Sequence, residues 1–298
     1  MPIPQSQLVT WSHQGATVSS SAAYNSIRTA LMAANSPLNG KSFEIFLQGS
    51  YGNGTNIYGD SDVDVVVFYR DTFVKDLSWL SPQEQAAHNA AYIPATYRWA
   101  NLRDDTFSAL QGHFKNNAVH FGKKSIKVRT PYGNKESDVV PAIQFRKYSK
   151  FISTNDMLAH WGIQFFDSQG NAVVNYPKYH IDRGVDKNSD DRTAGQYKAT
   201  VRIFKNLRTY MVDHGLLADK VAPSYFIECL LHNVPDNLFI GQYSATVPAI
   251  INHLMNTPHA PFLCQNGVTK LIGPGSTEWP EKDFVTFIST ASVIWENW

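Results

Sequence analysis

A mixed α+β lobe followed by a C-terminal helical lobe is the fold class this sequence predicts, on three observations. Strand-like alternation and turn residues recur between residues 43 and 175, interleaved with helical stretches. From about Asp191 helical spacing dominates to the end, broken at Pro223, Pro235, Pro258 and Pro280. Between them, a turn of small residues from Gly49 leads into Asp62-Val63-Asp64 and a valine run. The expected division is 1–190 for the α+β lobe, with an N-terminal helix, and 191–298 for the helical lobe. A chain of 298 residues is long enough for two such cores.

After a short Pro-containing lead, Ser19 to Ala34 carries apolar residues at Ala23, Ile27, Ala30, Leu31 and Ala34, which predicts a helix ended by Pro37 and Gly40. Phe43 to Gln48 reads as a strand delivering the Gly-Ser turn, and Asp62 to Tyr69 as the next strand. Ser81 to Asn89 and Thr96 to Asn116 read as helices. Ser125 to Thr130 and Glu136 to Ile143 form a hairpin about Pro131-Tyr-Gly-Asn134, and Gly162 to Phe166 pairs with Asn171 to Asn175 about Ser168-Gln-Gly170. No repeat or low-complexity tract interrupts the pattern.

Charge is nearly balanced, at +1 with 17% charged residues, which gives no electrostatic reason to expect avid binding to long nucleic acid. The two cysteines, Cys229 and Cys264, lack the Cys/His spacing of a zinc site and read as free thiols of a reducing compartment. There is no basic segment followed by an apolar stretch at the start, and no apolar run of membrane-spanning length. A cytoplasmic protein without membrane attachment is the expectation.

The chemistry concentrates in the Gly49–Asp64 stretch. On a strand, Asp62 and Asp64 share a face while Val63, Val65 and Val67 point to a core. Two such charges about 4 Å apart repel by roughly 4 kcal/mol at an effective dielectric of about 20, which a divalent cation would relieve. A third carboxylate from a neighbouring strand is needed to bracket two ions and orient a nucleophile, and Asp138, in Asp138-Val-Val-Pro141, supplies it. Asp62, Asp64 and Asp138 are therefore the expected catalytic and metal-binding residues, with two Mg²⁺ (or Mn²⁺) ions, Asp138 also helping to take a proton. Gly49 lets the backbone approach a phosphate, Ser50 donates to it, and Gln48, Asn53 and Thr55 add hydrogen bonds.

In the second lobe, Lys198, Arg202, Lys205 and Thr209 fall on one stripe of a helix, a pattern that by itself describes a solvated basic face. Ser224 opens a further helix, either as its cap or as an anion contact. Together Lys205 and Ser224 are candidates to clamp terminal phosphates, with Tyr225 offering a ring to a base.

The hydrophobic-Gly49-Ser50 element, the gap, and Asp62-Val63-Asp64 resemble the signature of the polymerase-beta-like nucleotidyltransferases. With Leu47-Gln-Gly-Ser-Tyr51, Thr55-Asn-Ile57, Asp138-Val-Val-Pro141, Val201-Arg-Ile-x-Lys205, Ser224-Tyr-Phe-Ile-Glu-Cys-Leu-Leu231 and a last helix ending in Trp295-Glu-Asn-Trp298, the likeness narrows to the cyclic GMP-AMP synthase/DncV-like enzymes. Among these it is closest in pattern to the bacterial CD-NTases of anti-phage signalling. The resemblance implies a polymerase-beta-like core with a helical lobe, and condensation of ribonucleoside triphosphates into a cyclic di- or trinucleotide second messenger with release of pyrophosphate. It also implies triphosphate contacts by Lys205 and Ser224, a base stacked on Tyr225, and a separate effector that recognises the product. No zinc-binding insertion or basic face for duplex DNA is evident, so activation by DNA is not expected, nor is conjugation through the carboxyl terminus. Asn175, in Asn175-Tyr-Pro-Lys-Tyr-His180, is the candidate reader of a base edge, its alternative being a turn residue before Tyr176-Pro177. Transfer to RNA ends or to a small-molecule acceptor, and a catalytically silent nucleotide sensor, are the competing readings. The bases joined, linkage and ring size are not readable.

Overall fold

The computed structural model describes all residues except 16, 60–62, 132–135, 240 and 276, and only the backbone of residue 116. In chain order the elements are α1 (Gln5–Ser12), α2 (Val18–Leu31), β1 (Phe43–Gln48), α3 (Gly49–Asn53), β2 (Asp64–Asp76), α4 (Pro82–Ala91), α5 (Trp99–Phe114), β3 (Val119–Phe121), β4 (Ile126–Arg129), β5 (Glu136–Ser153), β6 (Asp156–Phe166) and β7 (Ala172–Asn175). Then follow α6 (Pro177–Lys187), α7 (Asp190–Thr193), α8 (Gln196–Asp213), α9 (Ser224–His232), α10 (Tyr243–Asn256) and α11 (Glu281–Glu296).

Packing divides the chain differently from a single cut near residue 190. One compact unit is built from Met1–Ala16, Gly49–Asp60 and Lys178–Trp298, the other from Thr17–Gln48 and Ser61–Pro177. The N-terminal lead is a helix, α1, that belongs with the helical unit: Ile3 and Leu8 are buried in its core beside Val201, Phe204, Leu230 and Phe287. Trp11 meets Trp298 edge-on at 5.5 Å, which fastens the two ends of the chain to each other.

The sheet unit carries seven strands in the path β1-β2-β5-β4-β3, with β6 added to β5 and β7 to β6. β2 and β5 run parallel and the other pairs antiparallel. Val65, Val66 and Val67 are all fully buried, so β2 is covered on both faces, as a strand with a parallel neighbour commonly is. Val66, Phe68, Val140, Ala142, Ile163 and Phe165 form the core on one face. β5 does not end at Ile143 as its sequence suggests. It continues to Ser153, and the Pro141 carbonyl accepts the Trp99 indole N–H at 2.8 Å. Helix α4 starts with a reciprocal cap, the Ser81 hydroxyl accepting from the Glu84 N–H at 3.4 Å and the Glu84 carboxylate from the Ser81 N–H at 2.9 Å.

At the edge, Ile163 pairs with Asn175, and Gly162 lies where a methyl group would meet the Asn175 carbonyl at 2.7 Å and the Tyr176 ring at 2.9 Å. Gly162→Ala is therefore expected to displace the β7 end and lower stability by about 1–3 kcal/mol, read as a lower urea midpoint at unchanged slope. A midpoint within error of the wild type would contradict this packing.

Candidate functional site

One row of polar side chains crosses the sheet. Gln48 on β1 pairs with Asp64 on β2, Asp64 pairs with Asp138 on β5, and Asp138 pairs with Lys127 on β4. Directly paired residues project to the same side, and neighbouring strands lie about 4.8 Å apart, so the two carboxylates stand side by side on one face. The next row on that face, Phe46, Val66 and Val140, is apolar and belongs to the core. The polar row is thus the wet end of a hydrophobic face. Asp62 lies outside the described residues, and among the described residues no group of three His, Cys, Asp or Glu side chains is placed to hold a metal.

Asp138 is tied in place by its hairpin. The Lys127 ammonium is 2.7 Å from one carboxylate oxygen and 2.9 Å from the other, and the Ser125 hydroxyl donates to the same group. Sequence reasoning missed Lys127: it lies in the expected strand, but its partner depends on a hairpin register that alternation alone does not fix. Gln48 Oε1 is buried without a hydrogen-bond partner among the described residues, an acceptor left for something the chain does not supply.

The Gly-Ser turn and, Gln48 apart, the residues expected to face phosphate lie in the helical unit. Gly49 has φ +66°, the left-handed region that favours glycine, and opens the short α3. The Ser50 carbonyl accepts the Thr55 N–H at 2.9 Å, and the Ser50 hydroxyl has no partner among the described residues. Asn53 and Thr55 are engaged elsewhere: Asn53 Nδ2 and Thr55 Oγ1 each donate to the Glu228 carboxylate at 2.6 Å.

Lys205 is enclosed by acceptors of the chain itself. It is fully buried, and its ammonium donates to Glu228 Oε1 at 2.6 Å and to the Thr55 carbonyl and hydroxyl at 3.1 Å. Three N–H groups meet three acceptors, so none is left for a phosphate. The stripe is not a solvated face either, since Arg202 donates to the carbonyls of Ser12 and Gly54, both at 2.6 Å. Lys198, two turns earlier on α8, is the cation that remains. It is half-buried beside Gly54, and its ammonium has no hydrogen-bond or ion-pair partner among the described residues. Burial pushes its pKa down.

Ser224 is the first residue of α9 rather than its cap, which is Pro223, and its hydroxyl is unpaired among the described residues. Tyr225 is not a bare ring: His180 stacks near-parallel at 4.9 Å and Trp279 at 5.9 Å, so a base would have to extend an existing stack. His180 Nε2 lies 2.9 Å from Glu228 Oε2. Burial alone would raise the Glu228 carboxyl, but Lys205 and His180 beside it outweigh this and hold it well below the usual carboxylate range. A single Glu in the apolar run Ser224–Leu231 was the sequence signal for this group. Asn175 ends β7 and accepts the Tyr176 N–H at 2.8 Å on its own side-chain oxygen, leaving its Nδ2 without a partner among the described residues.

Residues 32–159 match the nucleotidyltransferase domain, and residues 182–296 the cGAS/DncV-like nucleotidyltransferase C-terminal helical domain. The chain is 40% identical over 298 residues to the cyclic UMP-AMP synthase of Rhodothermus marinus (strain SG0.5JP17-172), covering 100% of this chain and 99% of that one. It is 38% identical over 304 residues to the cyclic nucleotide synthase CdnE01 of Staphylococcus haemolyticus, covering 100% of both. The solved structure of the Rhodothermus marinus CdnE c-UMP-AMP synthase with Apcpp and Upnpp superposes with a TM-score of 0.90 at 39% identity, over 100% of this chain and 98% of that one. By this whole-length likeness the chain belongs to the cGAS/DncV-like nucleotidyltransferases, metal-dependent enzymes built on a polymerase-beta-like fold with a C-terminal helical domain.

Proposed function

We propose that the protein joins two ribonucleoside triphosphates into a cyclic dinucleotide, with UMP and AMP as its units, in an anti-phage signalling system whose separate effector reads the product. The observation that carries the chemistry is the paired row Gln48–Asp64–Asp138–Lys127 ending on the strand from which the Gly49-Ser50 turn departs. The likeness over the whole length to a cyclic UMP-AMP synthase supports the choice of bases. In each transfer a ribose hydroxyl attacks the α-phosphorus, the phosphoanhydride bond breaks, and pyrophosphate leaves; two such transfers close the ring.

Asp64 and Asp138 offer only carboxylate oxygens, a donor set suited to Mg²⁺ or Mn²⁺, and Asp62 is proposed as the third ligand. Two such ions, when bound, neutralise charge on the attacking and departing oxygens. The protein's own groups do the rest. Asp138, held by Ser125 and Lys127, accepts a hydrogen bond from the attacking hydroxyl. The hydroxyls of Ser50 and Ser224 and the ammonium of Lys198 hold phosphate oxygens, Gln48 accepts from ribose or bound water, Tyr225 extends its stack onto one base, and Asn175 Nδ2 donates to a base edge. Among the described residues no helix is long and apolar enough to cross a membrane, and activation by DNA is not part of the proposal.

Incubation with the four ribonucleoside triphosphates and Mg²⁺ or Mn²⁺, then phosphatase and mass spectrometry, is expected to give a phosphatase-resistant product of UMP and AMP. Linear ladders would instead indicate tailing of RNA ends, and a modified small acceptor the other alternative. Asp64→Asn and Asp138→Asn should each cut turnover by at least a hundredfold while melting like the wild type; normal turnover in either would remove the carboxylate row from the mechanism. Lys127→Met removes the cation competing for Asp138, so Mn²⁺ titrated by electron paramagnetic resonance should bind about tenfold more tightly at low salt. Weaker Mn²⁺ binding in that variant would mean that Lys127 supports the ion rather than opposing it.

A further inference from the structure

Glu228 is a buried carboxylate that lies outside the polar row of the sheet, yet four side chains from three segments converge on it. Asn53 and Thr55 flank Gly54 at the end of the Gly-Ser turn, Lys205 comes from the middle of α8, and His180 from α6. Thr55 in turn donates its N–H to the Ser50 carbonyl at 2.9 Å, so the path from Glu228 to Ser50 is two hydrogen bonds long. On its other side Glu228 fixes the His180 ring that stacks on Tyr225, which lies three residues before Glu228 on α9. The Gly-Ser turn and the tyrosine platform therefore take their position from the same carboxylate.

We infer that Glu228 is a positioning residue for nucleotide binding, which sets the Ser50 turn through Asn53 and Thr55 and the Tyr225 ring through His180. Lys205 serves as the counter-charge that makes its burial tolerable. This rests on the reading of the Gly49–Thr55 turn as a triphosphate cradle. Burying a carboxylate costs several kcal/mol unless it is paired and hydrogen-bonded. Here three of the four donors, Asn53, Thr55 and His180, connect to groups assigned to the ligand and the fourth, Lys205, balances the charge, whereas the apolar core of α9, with Phe226, Ile227, Leu230 and Leu231 fully buried, packs without Glu228.

The test separates alignment from stability. Glu228→Leu alone strands the Lys205 charge and should melt lower than the wild type. Glu228→Leu with Lys205→Met replaces the pair by apolar groups, a change that often restores stability. Isothermal titration with Apcpp and Mg²⁺ should show affinity at least tenfold weaker in both, so that affinity stays lost where the melting temperature returns. In turnover, KM for ATP should rise tenfold or more with kcat within about threefold. Thr55→Val, which leaves the ion pair in place, should reproduce part of the loss, and Thr55→Ser should reverse it; these two decide the matter if the double variant does not fold. Affinity within threefold of the wild type in the double variant or in Thr55→Val, or a loss that follows melting temperature across all variants, would overturn the proposal. Wild-type protein that fails to bind Apcpp would overturn the cradle reading itself, and the proposal with it.

Discussion

The register between β2 and β5 is the constraint on which the proposed catalytic row depends. Asp64 stands beside Asp138 only because Val65, Val66 and Val67 pair with Val139, Val140 and Pro141. A slip of one residue would send Asp138 to the opposite face and bring Ser137 or Val139 beside Asp64. Hydrophobic alternation cannot hold this register by itself, since β2 is buried on both faces. What distinguishes the true pairing is polarity at one end and irregularity at the other. The antiparallel neighbours place Gln48 and Lys127 in the same row, and a bulge between Tyr69 and Phe73 interrupts the ladder farther along.

The helical unit solves a complementary problem. A turn proposed to approach phosphates must keep its own polar groups from collapsing onto the ligand's, and a loop containing two glycines at φ +66° and +67° has little intrinsic stiffness. Stiffness is imported from helices. Glu228, Lys205 and Arg202 take up Asn53, the Gly54 carbonyl and the carbonyl and hydroxyl of Thr55, leaving the Ser50 hydroxyl out of the network. Burial makes each of these contacts strong, because a partner lost there cannot be replaced by water.

Much of this was legible in the sequence, and the limits have physical causes. The order of strands and helices followed from alternation, helical spacing and proline positions. Asp62 and Asp64 stood out because two like charges on one strand face are costly without a cation, and Asp138 as the third carboxylate that such a site requires. The packing units were not legible, because Gly49–Asp60 and the N-terminal helix join the helical unit across long sequence separations. The acceptors around Lys205 were hidden for the same reason: position on a helix stripe says which way a side chain points, not which acceptor waits there. Lys127 and Glu228 escaped because each acquires its meaning only from a partner, one across a hairpin and the other 23 residues back along the chain.

The charge states of the two lysines bear on which cation is proposed to meet the triphosphate. A lysine already saturated by a carboxylate and two oxygens, as Lys205 is, offers a phosphate neither a free N–H nor much net field, since Glu228 cancels it at 2.6 Å. Lys198 is in the opposite condition. It is partly withdrawn from water and lies against Gly54, without a hydrogen-bonded counter-charge among the described residues. Burial therefore works against its charged form, and an arriving polyanion would relieve that cost as well as add attraction. A group whose charge is disfavoured until the ligand arrives gains more from binding than one neutralised in advance. The two lysines of one helix thus differ in state, Lys205 paired with Glu228 inside the fold and Lys198, in the proposed reading, keeping its charge for the ligand.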